Sequence, residues 1–118
     1  MADVYTLGSV GGITVTRLFD GVANVAGNNY SLTDDIMNYK IIVVLGKLWN
    51  DGTHDNIVSN TIFPDSLTTK GYNTYSLDSG RGCTLDFNFA TNTSSFNVSS
   101  IQGTGSAAPC IFAFYGIN

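Results

Sequence analysis

The sequence predicts an all-β fold: a two-sheet antiparallel β-sandwich, jelly-roll-like, of about eight strands with a short Gly-rich N-terminal arm. Three observations carry this. Charged residues make up 12% of the chain, about half the roughly 25% usual in a soluble domain. The polarity comes instead from Asn, Ser, Thr and Gly, and all nine acidic residues are Asp, a turn former. Neutral hydroxyl and amide side chains suit short strands and tight turns, whereas the long charged side chains that coat surface helices are scarce. Finally, apolar residues alternate or run in short β-branched blocks bounded by Gly, Pro, Asn and Asp, with no helical period of useful length.

At 118 residues the chain reads as one domain, long enough to bury roughly two thirds of its unfolded surface. Residues 1–12 are short of large apolar side chains and read as a flexible arm jointed at Gly8, Gly11 and Gly12; residues 13–118 form the sandwich. The first strand spans residues 13–19, with Ile13, Val15, Arg17 and Phe19 on one face and Thr14, Thr16 and Leu18 on the other. Asp20-Gly21 is expected to end it. Gly27-Asn28-Asn29 signals a turn, and residues 30–32 a short strand. A polar corner at residues 33–38 leads into Ile41, Ile42, Val43, Val44 and Leu45, the most apolar run in the chain. That run reads as the central strand, buried on both faces, with Gly46 marking a bulge or a close backbone approach.

The stretch 49–56 is the most polar loop. A strand at 57–63 follows, with Ile57, Ser59, Thr61 and Phe63 on one face and Val58, Asn60 and Ile62 on the other, stopped by Pro64. Residues 72–77 form the next strand, and residues 78–82 a hairpin connection. Strand 83–90 alternates cleanly, with Leu85, Phe87 and Phe89 inward. Strand 95–101 places Phe96 and Val98 on one face. Strand 109–117 sets Cys110, Phe112, Phe114 and Gly116 against Ile111, Ala113, Tyr115 and Ile117, apolar on both faces and so internal to a sheet.

The formal charge is −4, and the five cations, Arg17, Lys40, Lys47, Lys70 and Arg81, do not cluster in sequence. Nucleic-acid binding needs several on one face, and an anionic membrane repels such a chain. No apolar segment is long enough to insert into a membrane as a helix. Cys83 and Cys110 lie in apolar strands without metal-type spacing and read as reduced core thiols, consistent with folding in a cytosol, although strand pairing could bring them together.

Catalytic signatures are absent: the nucleophile elbow does not occur, and Asp34-Asp35 are adjacent turn residues that point apart and cap backbone amides. The chain therefore reads as no enzyme, with no cofactor and no metal. Asp51, His54, Asp55 and Asn56 collect potential ligands, but their spacing matches no Ca²⁺ loop, and a solvated turn explains them. Trp49, Tyr72 and Tyr75, beside Asn50, Asn56 and Asn73, suit sugar recognition, with flat apolar rings for stacking and neutral donors for hydroxyls. The competing reading packs those rings under their own loops or at a subunit contact.

The block Tyr30-Ser31-Leu32-Thr33-Asp34-Asp35-Ile36, with Asn38-Tyr39 running into Ile41-Ile42-Val43-Val44, resembles a recurring block of tailed-bacteriophage tail-fibre tip domains. The ending Ile111-Phe112-Ala113-Phe114-Tyr115-Gly116-Ile117-Asn118 is similar to the closing strand of such fibres. The resemblance spans about residues 13–118 and implies a homotrimeric sandwich at the tip of a fibre, carried on the virion tail and folded in the host bacterial cytoplasm. It implies attachment to a host-surface glycan or outer-membrane protein and contact with other phage tail or virion proteins. It also implies that the corner carries the chain from one sheet to the other. Receptor contacts are then expected in the loops 49–56, 68–74 and 78–82, that is at Trp49, Asn50, Asp51, His54, Asn56, Tyr72, Asn73, Tyr75 and Arg81. Unlike the usual arrangement, the chain begins at Met1 with hardly any shaft, which fits a separate small virion protein or a piece of a longer fibre. Two alternatives stand beside this reading: a virion accessory protein docking through its N-terminal arm, and a carbohydrate-binding module.

Overall fold

A computed structural model describes residues 5–49, 56–67, 74–79, 82–89, 93–103 and 109–118. The described strands are β1 (Tyr5–Val10), β2 (Ile13–Ala23), β3 (Asn29–Ser31), β4 (Ile41–Trp49), β5 (Asn56–Ile62), β6 (Thr74–Asp78), β7 (Thr84–Asn88), β8 (Ser95–Gln102) and β9 (Cys110–Ile117). They form a five-stranded sheet, order β1-β2-β9-β4-β5, and a four-stranded sheet, order β3-β8-β7-β6, with every pairing antiparallel. The all-β two-sheet sandwich is therefore present. Pairing of early strands with late ones, β2 with β9 and β3 with β8, is the jelly-roll-like part of the topology. The β4–β9 pairing is equally long-range, whereas the hairpin β4–β5 keeps β5 on the sheet of β4, and β6, β7 and β8 form a meander.

The core lies between the sheets and is strongly aromatic. Phe114, fully buried on β9, stacks on Phe96 of β8 at 4.5 Å between ring centroids and meets Phe87 and Phe89 edge-on at 6.0 and 6.1 Å. Offset and edge-to-face pairs of this kind add about 0.5–1.5 kcal/mol each beyond area burial. Phe19 closes the cluster from β2, 5.1 Å from Phe96. Inward Leu18, Ile42, Val44, Ile62, Leu85 and Val98 fill the remaining layers.

Register shifts decide which residues reach this core. On β2, Arg17 pairs with Tyr115 and Phe19 with Phe114, so Leu18 is the extra residue of a bulge. Parity breaks there, and Leu18 and Phe19 both turn inward although strict alternation separates them. On β9, Leu45 pairs with Ala113 and Gly46 with Ile111, which leaves Phe112 unpaired in a bulge. Ile111 is fully buried and Phe112 only half-buried, which corrects the alternation expected for that strand.

Four further expectations change. The centre of the five-stranded sheet is β9, between β2 and β4, and not the Ile41–Leu45 run. On β4, Ile42 and Val44 are buried, whereas Ile41, Val43 and Leu45 are only half-buried, so one face alone meets the core. Asp20-Gly21 does not end β2, which continues to Ala23. Gly21 has no positive φ there, and a Cβ in its place would meet the Phe19 ring at 3.2 Å; this glycine makes room for a ring. Finally, residues 5–10, read as arm, form β1 on the edge of the five-stranded sheet, after which Gly11 and Gly12 turn the chain at φ +59° and +84°.

Candidate functional site

The topology sorts the connections between two ends of the sandwich. At one end the polar corner links β3, in the four-stranded sheet, to β4, in the five-stranded one, so the chain does change sheets there. The 3₁₀ turn Pro64–Ser66 packs against the corner's own 3₁₀ turn, Ile36–Asn38, and the Ile36 N–H donates to Thr93 O at 3.0 Å. At the opposite end, Leu77 of β6 packs over Gly46 of β4, and Lys47 pairs with Cys110 at the start of β9. Asp78 pairs with Thr84, and Thr84 with Gln102, so the β6–β7 hairpin and the end of β8 belong to that end too.

The corner is the most concentrated set of titratable groups with described side chains, and its bonds run inward to the chain. Asp34 accepts from Tyr39 Oη at 2.8 Å, Asn38 Nδ2 at 2.9 Å and the Asp35 N–H at 2.8 Å. Asp35 caps the 3₁₀ turn by accepting from the Met37 N–H at 2.8 Å. Partial burial pushes the Asp34 carboxyl up, but the three donated bonds outweigh it and hold the group below its ordinary value. Tyr39 is displaced upward, first by burial and then by its bond to Asp34. Its ring lies so close to Gly116 that a Cβ there would sit 2.5 Å from it. Asn118 completes the clasp: its backbone exchanges bonds with Thr14 at 2.8 and 3.0 Å, and its side chain accepts from the Lys40 N–H and donates to Asn38 O. Three of the roughly four acceptor sites of this carboxylate are taken by its own chain, and they hold the turn.

The residues expected to bind a receptor fall differently. Asn50, Asp51, His54, Tyr72, Asn73 and Arg81 lie outside the described residues, and Trp49 and Asn56 are described only as the last residue of β4 and the first of β5, paired with each other. Trp49, Asn56 and the β6–β7 hairpin belong to the end opposite the corner. Thr74, the first residue of β6, pairs with Asn88 and so lies at the corner end. Tyr75 is not a loop residue. It sits on β6 facing the core, stacked on Phe87 at 5.7 Å and edge-on to Phe89 at 6.0 Å, and burial raises its hydroxyl's pKa. That ring is engaged from inside the sandwich.

Among the described residues, no group of three or more His, Cys, Asp or Glu side chains could hold a metal ion, and no helix is long and apolar enough to cross a membrane. Cys83 and Cys110 are both free and buried. A scan against protein-family models finds no match for this chain, and no curated protein matches it either.

Proposed function

We propose that this chain is a non-enzymatic attachment domain: the tip of a bacteriophage tail fibre, carried on the virion as a homotrimer, that engages a host-surface glycan or outer-membrane protein. The supporting observation is the shared anchoring of the 49–56 and 78–82 connections at one end of a rigid sandwich, opposite the self-engaged polar corner. Binding residues on loops held by a rigid scaffold are a recurrent arrangement. Trp49, Asn50, Asp51, His54, Asn56 and Arg81 make the contact in this reading, and Tyr75 serves the core. The accessory-protein alternative is weakened by the pairing of residues 5–10 with β2, since that segment is built into a sheet.

Whole-cell binding by the purified, fluorescently labelled protein tests this. Binding to a panel of bacteria that Trp49→Ala and Arg81→Ala each reduce at least about tenfold, the loss of one good contact, with melting unchanged, is the expected result. Binding to no strain, or full binding by both variants, overturns it.

A further inference from the structure

We draw no further inference here: the strongest candidate, the exposed apolar surface of Met37 and Phe63 on and beside the two packed 3₁₀ turns at the corner end of the sandwich, carries nothing because no feature of the structure shows what covers it.

Discussion

Gly46 shows how a single residue is selected by two sheets at once. A methyl group there would lie 2.6 Å from Leu77 Cδ1 and 2.9 Å from the Cys110 carbonyl oxygen. The leucine can rotate away, but the carbonyl belongs to the paired strand β9 and cannot. Gly46→Ala is therefore expected to cost about 1–3 kcal/mol in chemical denaturation, the usual range for overpacking a core. An unchanged midpoint would show that the strand relaxes freely at this point. The sequence marked Gly46 as a bulge or close approach, and both occur together, since the bulge at Phe112 lies directly opposite. Gly21 was less legible. Next to Asp20 it carries a strong turn signal, yet the residue it accommodates, Phe19, faces inward only because of a bulge that no local pattern announces.

Among the elements, the corner between β3 and β4 has a stated pH dependence. The Asp34 carboxyl titrates below its ordinary 3.8 in the folded chain, so its contribution is fully present above that value and is lost as pH falls through the lowered one. Tyr39 behaves oppositely: raised above 10.0, it stabilises the fold up to that pH and loses its contribution as pH rises further. Denaturation midpoints measured against pH should fall at both extremes, and Tyr39→Phe should flatten both limbs. A Tyr39→Phe profile parallel to wild type would show that the network contributes no linkage. The corner itself was visible in the sequence as turn-forming Asp and Asn between apolar runs. β4 was read as buried on both faces because its two parities are both apolar, and burial is only one cause of that pattern. The other is an apolar face turned away from the core, and β4 follows it with Ile41, Val43 and Leu45, whereas its neighbour β5 turns Ser59 and Thr61 outward.

At the scale of the whole molecule, the cysteines report how firmly the sandwich is closed. Cys83 is fully buried and Cys110 is 8% exposed; burial holds the Cys110 thiol above its ordinary value, against a smaller opposing influence of Lys47. Both are expected to resist alkylation in the native state and to react at the rate of global unfolding in mild denaturant. Fast reaction of either thiol in native buffer would reveal local opening of β9 or of the β6–β7 hairpin. Composition and period by themselves determined the fold class, most strands and the polar corner, because propensity, alternation and turn chemistry act over a few residues. Tertiary structure alone decided that β9 is the central strand, that residues 5–10 join a sheet, and that Tyr75 stacks in the core. It also placed Thr74, the first residue of β6, at the corner end of the sandwich. Each of these depends on which distant segment becomes a strand's neighbour, and a bulge that shifts register by one residue reverses every side chain beyond it.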